Sequence, residues 1–465
     1  MPLHIDKDRL LDVLDKAYKG PLVKQFDWDT QVIPGTIAAK LEKYGLQGTC
    51  DPENPINQDL DLADRFFQAG LEVAEEVGML NIDTERAIRY SRDELLEGLD
   101  LAPQEFTLGE GNQAALFKHR GIGDPTEPIW VSPLSIVVTE DIFGDVVEAI
   151  ARVPEVDCLE GPSLQTVYGA TLRAGSPYEL MAGKRQADLF YEAIKRAGRE
   201  GIGLYAVGTS PTHYGVLGGF GIPGGYRPGY DIVLVLSPVE IKTSLENLFK
   251  LVHTYNCDGF TYGGSWSMIG GYAGGPEGSA VSCVACTIML YNVYQCVNGA
   301  SFPYDIHTMG NCGRNALWSL SMVFEALARN THICANSVLN QTAGPATDMI
   351  LYESAVGMMT LAVTGATSCT GPRTSGGKYT NFITPVETQF AGEVFKKSPT
   401  MELAQANSIA KKLIPKYEPM LGKPPKGKSI KECYDLDKME PTAEWRAIYE
   451  TVKQECIDLG IALDS

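Results

Sequence analysis

From about residue 128 onward the chain alternates short apolar runs with longer stretches of helical periodicity, and no other feature limits its fold so tightly. The candidate strands are Ile129–Val131, Val156–Leu159, Ile202–Tyr205, Ile232–Leu236, Gly259–Tyr262, Phe302–Ile306, Ile333–Asn336 and Thr367–Thr370. Most neighbouring runs are separated by enough chain for a helix. Strand and helix in alternation imply a parallel sheet, because a parallel connection has to cross back over the sheet. Eight such units over about 250 residues point to an α/β TIM (β/α)8 barrel. The competing architecture is a doubly wound open sheet. It lacks the Gly-x-Gly-x-x-Gly turn that a dinucleotide-binding version carries after its first strand. The nearest runs, Gly218–Gly221 and Gly270–Gly275, are not followed by the acidic residue such a site needs.

The flanks read as helical extensions. In residues 1–125, Leu10, Leu11, Val13, Leu14 and Ala17 recur at helical spacing, and a second helix is predicted from about Leu60 to Val77. Ser91-Arg92-Asp93-Glu94 has the capping-box pattern of a helix start. This segment is expected to cover the barrel or to join subunits. The barrel itself is assigned to residues 126–394. Residues 395–465 return to helix, interrupted by a Gly/Pro break at 422–427, and are expected to brace the barrel.

Composition narrows the function classes. The net charge of −19 argues against nucleic acid, whose phosphates attract Lys and Arg. No run of eighteen apolar residues is present, so no membrane span is expected. The eleven cysteines follow no disulfide framework, and residues 1–15 are charged and amphipathic rather than leader-like. A reduced, cytoplasmic enzyme is the expectation. Six histidines show no ligand spacing, and Cys283-Val284-Ala285-Cys286 lies alone inside a helical pattern, so buried core thiols are expected there rather than a metal site.

Barrel active sites collect at the carboxyl ends of the strands, and that rule selects the candidate residues. Gly201 to Ser210 opens as an apolar run and closes in small polar residues, with Tyr205 where the strand should end. His307 follows the sixth run, Glu160 the second, Asn336 and Asn340 the seventh, and Arg373 the eighth. Tyr262 and Trp266 stand among the dense glycines of 201–278, which suggests an aromatic-lined cavity. No Ser-His-Asp order or phosphate-binding loop accompanies them.

The order of several motifs then resembles a known family, the methylamine:corrinoid protein methyltransferases of methanogens, closest to the monomethylamine methyltransferases. The likeness runs nearly end to end. It includes Asp27-Trp28-Asp29, Lys43-Tyr44-Gly45-Leu46, Thr139 to Phe143 and Ser176-Pro177-Tyr178-Glu179. It continues through Ala197-Gly198-Arg199, Gly270 to Gly275, Ala343-Gly344-Pro345, Glu432-Cys433-Tyr434-Asp435 and Asp458-Leu459-Gly460. The resemblance implies a homo-oligomer, hexameric in the family. It also implies methyl transfer to a corrinoid (cobalamin) cofactor carried by a separate cognate corrinoid protein, with no tightly bound metal in this chain.

The characterised family carries pyrrolysine, and the resemblance sets that position on Tyr205, with the family's acid, glutamine and tyrosine partners on Gly264, Val338 and Asn340. It thus implies the scaffold without the monomethylamine site. Pyrrolysine offers an imine carbon to an amine lone pair, whereas a phenol offers only a hydrogen bond or a π face. A quaternary ammonium has no lone pair and suits an aromatic wall. The expected donor is therefore a small, fully methylated amine. Tyr205, Tyr262 and Trp266 would stand near the cation, with Tyr205 or His307 as proton donor for a non-cationic leaving group. Glu160, Asn336, Asn340 and Arg373 would line the substrate, and a carboxylate on it would find Arg373 or Arg227. Methyl transfer from a non-amine donor, and a non-catalytic barrel that binds a ligand or a subunit, are the alternatives.

Overall fold

The computed structural model describes residues 5–206 and 212–464, so the loop half of the Gly201–Ser210 stretch lies outside the described residues. Eight strands form one parallel sheet: β1 Ile129–Val131, β2 Cys158–Leu159, β3 Gly203–Ala206, β4 Ile232–Leu236, β5 Phe260–Ile269, β6 Asn298–Asp305, β7 Asn336–Val338 and β8 Ser368–Thr370. Their order is β6-β5-β4-β3-β2-β1-β8-β7. The two ends meet where the Gly299 N–H donates to the Cys334 carbonyl at 3.2 Å, which closes the barrel. Tyr205 lies level with Ile232, Ile232 with Phe260, Tyr262 with Asn298, and Val131 with Cys158. The steady offset is the strand tilt that closure of a twisted sheet demands. Gly299 makes the β5–β6 approach possible: a Cβ there would stand 2.1 Å from the Gly263 carbonyl oxygen.

Each strand is followed by a helix: α1 Phe143–Ala151, α2 Pro177–Arg196, α3 Tyr214–Gly219, α4 Leu245–Asn256, α5 Pro276–Val293, α6 Arg314–Asn330, α7 Asp348–Val363 and α8 Pro385–Lys397. The (β/α)8 reading of the sequence therefore holds. Helices α5 and α7 are buried all round, which explains why they read as apolar runs without a polar face. An N-terminal helix, Leu60–Val77, lies over α5, and Gly70 lets it sit there: a Cβ at 70 would meet Val284 Cγ1 at 2.5 Å. Cys283 and Cys286 are buried within α5, and burial pushes the Cys286 thiol up to about 12. Among the described residues no group of three or more His, Cys, Asp or Glu is placed to hold a metal, and no helix is long and apolar enough to cross a membrane.

A hairpin from the N-terminal segment, Glu105–Leu108 against Ala115–Lys118, covers the amino ends of the barrel strands. Its residues alternate exposed and buried, so Phe106, Leu108, Ala115 and Phe117 share the inward face. Phe106 and Phe117 stack at 4.5 Å, and Phe117 lies 6.3 Å from the Tyr205 ring. Burial of such a ring is worth about 1.5–3 kcal/mol. The hairpin thus forms a dry plug beneath the barrel interior, which leaves the carboxyl end of the strands as the mouth. Ser91 caps the helix before it as the sequence indicates, its Oγ accepting from the Glu94 N–H while Glu94 accepts from the Ser91 N–H at 2.6 Å.

Two strand starts shift by three residues or more, and β5 runs on to Ile269 rather than ending at Tyr262. β6 begins at Asn298 rather than Phe302, because Asn298 to Ser301 is too small and polar to register as an apolar run. β7 begins at Asn336 rather than ending there; the apolar Ile333–Ala335 leads into the strand, and Asn336, Ser337 and Val338 form it. Both shifts bear on the site.

Candidate active site

The mouth of the barrel holds a cavity of about 330 Å³ with two unlike walls. One wall is apolar. It is built from alternate residues of three adjacent strands: Leu234 and Leu236 on β4, Tyr262, Trp266 and Met268 on β5, and Phe302 and Tyr304 on β6. Alternation follows from the pleat, which sends every second side chain to the same face. Gly264 belongs to that row. A Cβ there would meet Leu236 Cδ1 at 3.2 Å and the Tyr262 hydroxyl at 3.8 Å, so its missing side chain is part of the cavity's volume. The Trp266 and Phe302 rings tilt together at 6.3 Å. Tyr304 donates to the Met309 carbonyl at 2.8 Å and so ties the rim turn down over the cavity.

The other wall is polar. Glu160 follows β2, Ser135 follows β1, Arg373 follows β8, and Val338 and Asn340 come from the end of β7. Glu160 is fully buried. Neither of its carboxylate oxygens makes a hydrogen bond of good geometry among the described residues, and the nearest donors are the Thr370 and Ser135 hydroxyls, close enough to pull its pKa down. Burial pushes the Glu160 carboxyl up to about 8, against weaker opposing pulls from Thr370, Ser135 and Arg373. A buried polar group left unsatisfied costs about 1–3 kcal/mol, more if charged, so a fold that keeps one on a cavity wall keeps it at a loss of stability. Groups of this kind mark functional sites. Arg373 is anchored through its backbone N–H, which donates to Gln341 Oε1 at 3.0 Å, and its Nη1 donates to Asn340 Oδ1 at 3.3 Å.

The expected site residues separate into two groups. Glu160, Tyr262, Trp266, Asn340 and Arg373 line one cavity. Gly264 and Val338, the positions set by the resemblance, face it too. Asn336, Tyr205 and His307 do not line it. Asn336 is the first residue of β7, not a residue past its end. Its Nδ2 donates to the Tyr262 hydroxyl at 2.7 Å and its Oδ1 accepts from Ser368 Oγ at 2.7 Å. Tyr205 lies below, in the dry layer over the plug. Its ring meets Tyr262 edge-on at 5.4 Å, and its hydroxyl donates to Asn298 Oδ1 at 3.3 Å. Ser368 also reaches Asn298, so Tyr205, Asn298, Ser368 and Asn336 form a buried polar chain that ends on Tyr262. Burial raises the Tyr205 and Tyr262 phenols well above their ordinary value. The sequence reading sets Tyr205 at the mouth, whereas its register opposite Ile232, the first residue of β4, sets it low in the barrel.

His307 lies in the turn after β6, exposed, its N–H donating to Asp305 Oδ1 at 2.8 Å, and its ring does not line the cavity. Arg227 is committed elsewhere, to Glu110 and to Asp231. Sequence reasoning missed Ser135, Phe302 and Tyr304 as site residues, and Met268. A period-two signal carries most of them: once β5 runs on past Tyr262, residues 262, 264, 266 and 268 fall on one face.

Comparison with known proteins agrees with this architecture. The family model described as monomethylamine methyltransferase MtmB matches residues 9–461. Monomethylamine methyltransferase MtmB of Methanosarcina mazei is 28% identical over 453 residues, covering 97% of this chain and 97% of the relative. MtmB1 of Methanosarcina acetivorans is 29% identical over the same length and coverage. Crystal structures of MtmB from Methanosarcina barkeri and of a hydroxylamine complex of MtmB superpose with a TM-score of 0.93 at 28% identity, each covering 98% of both chains. With a match from near the first residue to near the last, in sequence and in fold, the chain belongs to the monomethylamine methyltransferase family.

Proposed function

We propose that this protein transfers a methyl group from a quaternary ammonium donor to the cobalt of a separate corrinoid protein, with Glu160 as the counter-charge of the donor's nitrogen. Methyl transfer involving a corrinoid protein is the activity of the family. The choice of donor rests on one observation, the Glu160 carboxyl buried on the wall of an otherwise aromatic and aliphatic cavity with no cation in contact with it among the described residues. An ammonium in that cavity would stand beside an acid and the aromatic rings of Trp266 and Phe302, groups that stabilise a cation without requiring a lone pair on it. All 465 residues are standard amino acids, so no pyrrolysine imine is available to form an adduct with a primary amine.

In this reading the chain forms no bond to its substrate. It orients the donor and excludes water from the nitrogen. The methyl carbon leaves nitrogen for the partner's cobalt. The C–N electron pair stays on nitrogen and gives a neutral tertiary amine, so no proton is consumed. The new bond takes its pair from the reduced corrinoid, a co-substrate of the reaction, whose cobalt goes from Co(I) to Co(III).

Glu160 also favours a second reading. A carboxyl that holds its proton to about pH 8 is a competent general acid, which a donor with an oxygen leaving group would need. The two readings are separated by supplying a cognate corrinoid protein reduced to Co(I), adding tetramethylammonium, methylammonium and methanol in turn, and following the corrinoid spectrum. Methylation from tetramethylammonium that is lost in Glu160→Gln supports the first. Methylation from methanol alone supports the second. Methylation from methylammonium, unchanged by Glu160→Gln, contradicts both.

A further inference from the structure

Beside Glu160, the cavity carries a second charge that the transfer chemistry leaves unused. Arg373 is half-buried in the polar wall. No carboxylate among the described residues forms an ion pair with it, and its one side-chain hydrogen bond goes to the neutral Asn340 at 3.3 Å. Glu160, on the same wall, feels its charge, yet the two side chains form no ion pair. Were the two side chains present only to neutralise one another, a contact pair would relieve both. They are instead held apart by their own loops.

The hold on Arg373 is specific. Its N–H is fixed by Gln341 Oε1 at 3.0 Å and by the Leu339 carbonyl at 3.3 Å. Behind the guanidinium, the turn at Thr374–Gly377 comes so close that a Cβ on Gly377 would stand 2.7 Å from Arg373 Nε. Gly377, at φ +74°, is the residue that permits this approach. A guanidinium backed by the main chain and facing an apolar cavity is arranged for a planar anion.

From this juxtaposition we infer that the methyl donor is a zwitterion, an N-methylated ammonium that carries a carboxylate, with the nitrogen against Glu160 and the carboxylate on Arg373. The inference builds on the cation site proposed above. It adds what a bare ammonium lacks, a fixed orientation. A spherical cation can rotate against the aromatic wall, whereas one held at both ends presents a chosen N–CH3 bond to the mouth. The transferred methyl leaves an N,N-dialkyl amino acid as product.

The test is binding to the intact protein by calorimetry with three probes: tetramethylammonium, trimethylglycine, and 3,3-dimethylbutanoate, which has the carboxylate and shape of trimethylglycine without its charge on nitrogen. In the unaltered protein trimethylglycine should bind at least about tenfold tighter than tetramethylammonium, a modest return for a charge-assisted bidentate contact. Arg373→Gln should remove that preference, with tetramethylammonium bound at least as tightly as before because a positive charge has left the cavity, while Arg373→Lys keeps part of the preference. Glu160→Gln should weaken both cations. Equal affinities for the two cations in the unaltered protein overturn the zwitterion assignment and leave the cation site standing. That comparison needs no variant to fold. Failure of both cations to bind, with 3,3-dimethylbutanoate bound, overturns the cation site and the zwitterion with it.

Discussion

If Glu160 holds the donor's cation, binding must expel a proton. In the empty cavity the carboxyl titrates at about 8, so at pH 7 roughly nine molecules in ten carry a proton on it. A cation about 5 Å away at an effective dielectric of about 20 interacts with the carboxylate by ~3 kcal/mol, which is ~2.4 pH units. The bound carboxyl then titrates at about 5.6 and is almost wholly ionised at pH 7, so about 0.85 proton leaves per ligand bound. Calorimetry of tetramethylammonium binding at pH 7 in buffers of different ionisation enthalpy reads this number directly as a slope. The sign is fixed. The ligand competes with a proton, so affinity rises with pH, by about fivefold from pH 7 to 8 and little above 9. Glu160→Gln should bring the slope near zero and flatten the pH dependence. A slope near zero in the unaltered protein, or affinity that falls as pH rises, would refute the assignment of Glu160 to the cation.

Three further outcomes follow from the same geometry. Glu160 has a folded-state pKa raised above its unfolded value of about 4.3, so its contribution to stability is present below that pH and is lost as pH rises toward 8, at up to ~1.4 kcal/mol per pH unit; Glu160→Gln without ligand should thus gain on the unaltered protein in chemical denaturation as pH is raised through that window. Glu353 and Glu387, each pushed up to about 7 by burial, tilt both curves alike and cancel in the difference. Tyr205→Phe removes only a 3.3 Å bond to Asn298 and should cost about 0.5–1.5 kcal/mol in denaturant melts with cation affinity kept within twofold, whereas Tyr205→Ala opens the dry layer above the plug and should cost about 3–5 kcal/mol. Trp266→Ala should weaken tetramethylammonium about three- to thirtyfold by calorimetry with little change in melting, because its ring is only partly buried and contributes through its face.

Much of this molecule is legible in its sequence, and the gaps have physical causes. The alternation of short apolar runs and helical stretches yields the barrel, because a parallel strand buried on both faces must be apolar. The runs that misled are those where the barrel interior is polar. Asn298 and Asn336 are bridged inside the barrel by the Ser368 hydroxyl, so hydrophobicity does not mark their segments as strand. The cost was felt at the site. A shift of three residues carried Asn336 from a presumed rim position to the support beneath Tyr262. Glu160 and Arg373 were found by counting past strand ends, since loop residues there face the mouth whatever the register. Tyr205 could not be placed in that way, because a strand residue's height decides whether it reaches the cavity or the plug. No sequence rule reveals that Glu160 is buried on the cavity wall with no cation in contact with it among the described residues.

The most direct test of the central claim is the pH dependence of kcat/KM for methyl transfer to a reduced cognate corrinoid protein, measured with tetramethylammonium as donor and corrected for the partner's own titration. In the unaltered protein kcat/KM should rise through about pH 8 to a plateau, as Glu160 loses its proton, and Glu160→Gln should give a low, flat profile. A profile that falls above pH 8 would show that Glu160 acts by giving a proton rather than by holding a cation, and would contradict that claim.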